Sequence, residues 1–205
     1  MVAPRRLGRH PVERLGCRPL KSFDYWLQTA RIDAAAPFVP DGARVLDIGA
    51  ADGVLFRRLG DRIAGGVGID PDAPRTVLGN VRLVPGKFPD DLDSGETFDV
   101  VTALAVVEHL DDDERASFAA KCFAHLQPGG RCILTIPSPL VDPILKVLVG
   151  MRIIDGIHQG DHHGFDPEKA IGIFRCAGFS LERAQRFQIG LNNLFVFSRP
   201  NGNAA

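Results

Sequence analysis

Short apolar runs alternate with stretches of mixed polar and apolar residues through residues 43–136. The first run, Val45–Ile48, ends in a turn of small residues, Gly49–Gly53. A segment of helical periodicity follows and leads to a second run, Gly66–Ile69. Apolar runs of this length, separated by helical segments, predict parallel strands, because such strands are buried on both faces. The pattern therefore predicts an α/β domain built from strand–helix–strand units.

Two aspartates flank the first turn: Asp47 lies in the first predicted strand, and Asp70 ends the second. Parallel strands bring such residues to one edge of the sheet, where open α/β sheets bind ligands. Two carboxylates beside a turn of small residues suit a cofactor with a ribose and a charged tail. A G-x-G-x-x-G turn would indicate a dinucleotide, but here Gly49 and Gly53 are separated by three residues with Ala51 in the middle. A nicotinamide-dependent oxidoreductase is therefore only a minor alternative.

The first strand and its turn resemble the first motif of class I S-adenosylmethionine-dependent methyltransferases, V/L-L-D-I/V-G-x-G-x-G, with Ala51 in place of the central glycine. Further segments resemble that family in the same order. They are the F-D-x-V strand at Phe98–Leu104, the L-E-H-L segment at Val107–Leu110, the L-K-P-G-G turn at Leu126–Gly130 and the fifth strand at Arg131–Ile136. The resemblance implies a three-layer, Rossmann-like α/β fold with a mostly parallel seven-stranded sheet. Its implied strand order is 3-2-1-4-5-7-6, with the last strand antiparallel, and its implied cofactor is S-adenosylmethionine.

The resemblance also implies which residues bind the cofactor. Asp47 would serve its amino-acid end, and Asp70 would accept hydrogen bonds from the ribose hydroxyls. The complete expected set is Asp47, Gly49, Ala50, Ala51, Gly53, Asp70, Pro71, Lys87, Phe88, Ala103 and Leu104. Because Lys87 stands where the family commonly has an aspartate for the adenine amine, we expect Phe88 and backbone groups to hold the adenine.

Later segments carry clear start and stop signals. Acidic residues 111–114 predict a helix that begins there and reaches about Leu126, because acids stabilise the positive end of the helix dipole. Asp166 and Pro167 predict the cap and first position of another helix, which ends near Gly178. Two terminal strands follow, at 179–184 and 194–198. They match the closing pair of the methyltransferase fold, which a nicotinamide-binding domain would normally lack.

We expect residues 1–42 to form an N-terminal arm and a cap helix, and residues 43–200 to form the methyltransferase domain. Residues 137–165 are too long for an ordinary strand–helix connection, which indicates an inserted lid over the acceptor. The apolar stretch 143–154 leaves two alternatives open for this segment: a homodimer contact or a membrane-surface contact.

Composition narrows the class of protein. The 205 residues carry a formal net charge of −1, so no basic field favours nucleic acid. No apolar run approaches the ~18 residues of a membrane-spanning helix. The four cysteines, Cys17, Cys122, Cys132 and Cys176, lack C-x-x-C spacing. Because Cys132 lies in a predicted strand and Cys122 and Cys176 lie in predicted helices, we expect buried, reduced thiols in a cytoplasmic protein rather than zinc or disulfides.

Methyl transfer from a sulfonium needs mainly positioning, and a base helps when the acceptor must lose a proton. His109, His162 and His163 are the candidate catalytic residues, because imidazole titrates near neutral pH. No metal is expected, since Ala105 replaces the first glutamate of the E-x-x-E-H pattern of small-RNA 2′-O-methyltransferases. The sequence thus predicts a methyltransferase for a small, lipophilic acceptor, similar to those of quinone, lipid and natural-product pathways. A catalytically silent cofactor-binding protein of the same fold is the alternative.

Overall fold

The computed structural model describes residues 19–93, 95–138 and 165–202. One mixed sheet contains eight strands: β1 Arg44–Ile48, β2 Gly65–Asp70, β3 Thr76–Leu78, β4 Val81–Pro85, β5 Phe98–Leu104, β6 Leu126–Pro137, β7 Ser180–Phe187 and β8 Asn192–Ser198. The described α-helices are α1 Pro19–Ala35, α2 Val54–Leu59, α3 Asp112–Ala124 and α4 Pro167–Cys176. Single 3₁₀ turns lie at 36–38, 60–62, 107–109 and 188–190.

The strand order is β3-β4-β2-β1-β5-β6-β8-β7. Without β3, this is the order that the resemblance implies, and β8 runs antiparallel to both β6 and β7 as expected. The expectation of seven strands is wrong by one, because β3 pairs antiparallel with β4 at the edge of the sheet. This hairpin turns at Gly79, whose φ is +61°. A three-residue edge strand is too short to produce a recognisable pattern in the sequence.

Buried side chains on the two faces of the sheet confirm the three layers. One face packs against α3 and α4 through aromatic residues, with the rings of Phe174 and Phe197 stacked at a centroid distance of 4.9 Å. The other face packs against α1 and α2, where Ile32 and Phe56 are buried. The central strand β1 is almost fully buried, as its apolar run predicts.

The predicted helix starts at Asp111 and Asp166 are confirmed. Asp111 Oδ1 accepts a hydrogen bond from the Glu114 amide at 2.8 Å, and Glu114 Oε2 accepts one from the Asp111 amide at 2.9 Å, which forms a capping box. Asp166 Oδ1 accepts from the Glu168 amide at 3.0 Å, with Pro167 at the first helical position. Local side-chain chemistry therefore sets both boundaries.

Helix α1 packs against β6 and β8. Arg31 Nε on α1 donates to Asn192 Oδ1 at 3.2 Å, and Asn192 pairs with Pro137, the last residue of β6. The helix therefore reaches the carboxyl edge of β6, the edge that carries the site described below. Tyr25 and Trp26 on α1 are 63% and 49% exposed.

Several expectations concern residues beyond those that the structure describes. The expected lid at 137–165 lies outside the described residues apart from its ends. The apolar stretch 143–154 and the arm before residue 19 also lie outside them. The domain boundaries at 42/43 and 137 stay predictions. No helix among the described residues is long and apolar enough to cross a membrane.

Candidate cofactor site

The turn after β1 lies against the end of β2 and against the segment after β5. The Gly49 amide donates to the Ile69 carbonyl at 2.9 Å, which fixes the start of the turn. Gly49 has a φ of +80°, and a Cβ added there would lie 2.7 Å from Val106 Cγ2. Only glycine combines this backbone conformation with so close an approach. Residues 49–53 are therefore held directly beside the chain that leaves β5.

Asp70 is fixed by backbone amides from two directions. Its Oδ2 accepts from the Ala51 amide at 3.2 Å, and its Oδ1 accepts from the Asp72 amide at 2.8 Å. Ala51 itself has a left-handed φ of +45°. Alanine thus supports the turn conformation in which the family has glycine, at the steric cost of a Cβ in this region.

Asp47 is 4% exposed and lies opposite Thr102 of β5. Thr102 Oγ1 donates to Asp47 Oδ1 at 2.6 Å. Burial is the main reason that the pKa of Asp47 is raised to about 7; the Thr102 hydrogen bond lowers this pKa, and the charge of Asp70 contributes to raising it. A buried carboxyl that loses its proton near neutral pH is suited to receive an ammonium group, which favours the ionised form.

These features fit S-adenosylmethionine. Gly49 lets the turn pack directly against Val106, and carboxyl groups lie on either side of the turn, on neighbouring strands β1 and β2. Asp47 would hold the amino-acid end, and Asp70 the ribose hydroxyls. When bound, the cofactor supplies a methyl group already activated by the sulfonium.

Other expected cofactor residues lie around the same edge. Ala50 is buried at the turn, and Gly53, with a φ of +80°, precedes α2. Pro71 is exposed directly after Asp70. Ala103 and Leu104 end β5, where Ala103 pairs with Ile48 of β1. Their contacts with the cofactor stay predictions.

The loop after β4 carries Lys87 and Phe88, the residues expected near the adenine. The Phe88 ring packs edge-to-face against Phe118 at 5.8 Å and His125 at 5.5 Å, so it is engaged on the α3 side of the sheet. Lys87 is exposed, and its amide donates to Asp91 Oδ2 at 2.8 Å. The carboxylate beside this loop is therefore Asp91, four residues after Lys87. Contact of Phe88 or Lys87 with adenine stays a prediction, and the Phe88 ring contacts do not support it.

The catalytic histidines are only partly described. His109 is exposed in the 3₁₀ turn Val107–His109 that follows β5. His162 and His163 lie outside the described residues. Within those residues, no group of three or more His, Cys, Asp or Glu side chains is arranged to hold a metal ion.

Sequence reasoning missed the role of Glu108 as a buried acid. Its side chain is 6% exposed, and burial raises its pKa to about 7, whereas the charges of Arg31 and Arg115 lower it. Arg115 donates from Nε to the Val107 carbonyl at 3.1 Å, and its guanidinium stacks 4.0 Å from the centroid of the Phe165 ring. The E-H pair after β5 was the only local signal for this environment, because the groups around it come from α1 and α3.

Three of the four cysteines lie in the described part of the chain, and all three are free thiols. Cys122 on α3 and Cys132 on β6 are buried, whereas Cys176 at the end of α4 is exposed. The expectation of burial is thus wrong for Cys176, because it lies on the solvent side of the last helical turn. Cys17 lies outside the described residues.

Comparisons with known proteins indicate the family to which this chain belongs. A family model described as a methyltransferase domain matches residues 23–183. The ubiquinone biosynthesis O-methyltransferase of Bradyrhizobium sp. (strain ORS 278) is 34% identical over 133 residues, which cover 59% of this chain and 51% of that protein. The corresponding protein of Mesorhizobium japonicum is 32% identical over 142 residues, covering 63% and 54%. The chain spans about half the length of these curated relatives.

Solved structures share the fold. A chain of the complex between the Haloferax volcanii Trm112 methyltransferase activator and its methyltransferase partner has a TM-score of 0.67 at 16% identity, covering 91% of this chain and 95% of that chain. Magnesium protoporphyrin IX methyltransferase from Synechocystis, solved with bound S-adenosylhomocysteine, has a TM-score of 0.60 at 18% identity, covering 94% and 90%. With the family model matching well over half of its residues, the chain belongs to the class I S-adenosylmethionine-dependent methyltransferase family.

Proposed function

We propose that this chain transfers the methyl group of S-adenosylmethionine to a hydroxyl oxygen of a small, partly apolar molecule. One observation carries the proposal: carboxyl groups of Asp47 and Asp70 flank a turn that Gly49 holds against the segment after β5. This edge of the sheet can hold a cofactor with a charged tail and a ribose, and it leaves the neighbouring edge of β5 and β6 for an acceptor.

The relatives and the net charge support the acceptor that we propose. The curated relatives that match are named O-methyltransferases of ubiquinone biosynthesis, which supports an oxygen acceptor on a lipophilic small molecule. The net charge of −1 supports a small molecule rather than nucleic acid. The buried free thiols Cys122 and Cys132 support a reducing compartment such as the cytoplasm.

For the chemical step, the chain must position the acceptor in line with the methyl group and exclude water. His109 follows β5, the strand beyond which the methyl group would project, and His162 and His163 belong to the expected lid. Each is proposed as an orienting group or base. Closure of the lid over the acceptor, a homodimer contact and a membrane-surface contact through 143–154 all remain proposals for that segment.

A second function has a specific observation in its favour. One structural neighbour is a chain from a complex of a methyltransferase with an activator, and in the present chain Ala51 and Lys87 depart from the family pattern. A cofactor-binding protein that is silent by itself, or that needs a partner, would explain both departures.

The two functions differ in turnover. Purified protein is incubated with S-adenosylmethionine carrying a deuterated methyl group and with a panel of phenols, alcohols, amines and thiols, and S-adenosylhomocysteine is measured by mass spectrometry. We expect its formation to depend on a phenol or alcohol, with transfer of the labelled methyl group to oxygen. The variant Asp70→Ala is the control. Binding of S-adenosylhomocysteine without turnover of any acceptor would contradict the enzymatic proposal and favour the silent protein.

A further inference from the structure

We propose that Glu108 is the group that receives the proton of the acceptor hydroxyl, in a subsite whose wall is formed by Arg31, Asn192 and Gln188. The inference rests on the proposed function, which supplies the methyl-transfer reaction. It assigns the proton transfer to a carboxyl group rather than to the histidines that the sequence suggested.

The position of Glu108 links it to the cofactor site. It lies in the turn that directly follows β5, two residues after Val106. Val106 packs so closely on Gly49 that a Cβ at Gly49 would lie 2.7 Å from Val106 Cγ2. The turn that carries Glu108 is thus attached to the turn beneath the cofactor, on the side facing β5.

The surroundings of Glu108 leave one carboxyl oxygen in need of a donor. The side chain is 6% exposed, and within the described residues Oε2 is buried without a hydrogen-bond partner. Among the described residues, the charged groups that face it are Arg31 on α1 and Arg115 on α3. Arg115 donates from Nε to the Val107 carbonyl at 3.1 Å and from Nη1 to Asp112 Oδ1 at 2.7 Å, whereas its Nη2 is buried without a hydrogen-bond partner. A hydroxyl group of a bound acceptor would satisfy Oε2, since buried polar atoms are normally hydrogen-bonded.

A chain of side-chain hydrogen bonds extends the subsite along the sheet edge. Arg31 Nε donates to Asn192 Oδ1 at 3.2 Å, and Asn192 Nδ2 donates to Gln188 Oε1 at 2.5 Å. Gln188 Nε2 is buried and has no partner among the described residues. Gln188 and Ile189 have φ values of +50° and +58°, a left-handed conformation that is strained for a β-branched residue. The strained turn therefore holds an unsatisfied amide donor, Gln188 Nε2, at the end of this series of hydrogen bonds.

Two of the buried unsatisfied atoms, Glu108 Oε2 and Gln188 Nε2, define the ligand chemistry. Glu108 Oε2 offers an acceptor for a hydroxyl proton, and Gln188 Nε2 offers a donor for a second oxygen of the same molecule. Asn192 pairs with Pro137 at the end of β6, and β6 is the neighbour of β5, so the wall lies beside the strand that leads to Glu108. The subsite takes an uncharged molecule that carries a hydroxyl and a further oxygen.

The proton transfer balances as follows. The acceptor O–H bond breaks as its proton passes to the ionised Glu108 carboxylate, and the oxygen forms a bond to the methyl carbon. The methyl carbon–sulfur bond breaks, its electron pair stays on sulfur, and an ether and S-adenosylhomocysteine result. Glu108 then returns the proton to solvent. Burial raises the pKa of this carboxyl to about 7, which makes it a stronger base than an exposed glutamate while leaving it ionised above neutrality.

The test compares Glu108→Gln with Asp113→Asn, which removes an exposed carboxyl from the first turn of α3. With the best phenol or alcohol from the acceptor panel, we expect Glu108→Gln to lower kcat by about 10²–10³-fold and to abolish the rise of kcat with pH near 7. Asp113→Asn should leave both unchanged, and S-adenosylhomocysteine affinity should be the same in all three proteins. Gln188→Leu should raise KM while the pH dependence of kcat persists.

A spectroscopic readout needs no turnover. In protein labelled with ¹³C at glutamate side-chain carboxyls, one resonance should titrate near pH 7, be absent from Glu108→Gln and shift when phenol is added with S-adenosylhomocysteine. Glu108→Asp, which keeps the carboxyl but withdraws it by one methylene, replaces Glu108→Gln if that variant does not fold. Unchanged kcat and pH profile in Glu108→Gln, or a Glu108 resonance that titrates at the ordinary glutamate pKa and ignores phenol, overturns the inference. Absence of methyl transfer by the wild type would instead overturn the proposed function.

Discussion

We expect Asp47 to make cofactor binding depend on pH. Its pKa is raised to about 7 by burial in the free protein, so the carboxyl is largely protonated at pH 6. If it receives the ammonium group of the cofactor, binding must ionise it, because only the carboxylate forms the charge-assisted hydrogen bond. We therefore predict that binding of S-adenosylhomocysteine releases a proton at low pH.

The magnitude follows from the pKa. With a pKa of about 7, roughly nine-tenths of Asp47 is protonated at pH 6 and about one-tenth at pH 8. Binding should release about 0.9 proton at pH 6 and about 0.1 at pH 8. The affinity should fall about tenfold, or 1.4 kcal/mol, for each pH unit below 7.

The same shift predicts an effect on stability. The pKa of Asp47 in the folded state lies above its unfolded value of 3.8. The contribution of this acid to the free energy of unfolding is therefore fully present below pH 3.8 and is lost as pH rises toward 7. At 1.36 kcal/mol per pKa unit, the loss amounts to about 4 kcal/mol at pH 8 as an upper bound. The variant Asp47→Asn lacks this loss and should be more stable than the wild type at pH 8 by a few kcal/mol, yet bind cofactor poorly.

Two assays check these predictions. Calorimetric titration with S-adenosylhomocysteine in buffers of different ionisation enthalpy measures the protons released, and urea unfolding at pH 5 to 8 measures the stability difference between wild type and Asp47→Asn. The control is Glu108→Gln, which removes the other carboxyl with a pKa near 7 and should keep the proton release. Proton release that is absent at pH 6 in the wild type, or undiminished in Asp47→Asn, would refute the assignment of Asp47.

Three further substitutions test the turn and its partner. Asp70→Ala should weaken S-adenosylhomocysteine binding by about 2–4 kcal/mol in calorimetry, because a charge-assisted pair of hydrogen bonds is lost; unchanged affinity in the folded variant would be inconsistent with ribose binding. Gly49→Ala should destabilise the fold in urea unfolding by about 1–3 kcal/mol more than Gly42→Ala, since both have positive φ but only Gly49 would press a Cβ against Val106; equal effects would argue against the close approach. Ala51→Gly should raise the free energy of unfolding by about 1 kcal/mol, because glycine adopts the φ of +45° without strain, and a loss of stability would contradict this explanation.

Much of the fold could be predicted from local patterns. Strands β1 and β5 are mostly apolar because both faces are covered, and the caps at Asp111 and Asp166 depend only on neighbouring residues. Strand β3 could not be predicted, because three residues at a sheet edge are held by their pairing with β4 and by little else. Sequence therefore indicates the parallel core more reliably than its edge.

In the candidate site, too, some residues could be located from the sequence and others could not. Asp47 and Asp70 could be placed because strand ends meet at one edge of a parallel sheet. The ring of Phe88 could not, since the loop pattern does not specify which face of the sheet it packs on. Glu108 acquires its buried environment partly from α1, which is distant in sequence, so its raised pKa emerges only from the tertiary structure.

We propose that the edge formed by β1 and β2 binds S-adenosylmethionine. Calorimetric titration of the purified chain with S-adenosylhomocysteine and, separately, with NAD, repeated on Asp70→Ala, tests this assignment. We expect S-adenosylhomocysteine to bind the wild type at one site per chain, Asp70→Ala to bind it more weakly, and NAD not to bind. Binding of NAD at one site per chain, with no heat from S-adenosylhomocysteine, would contradict the assignment.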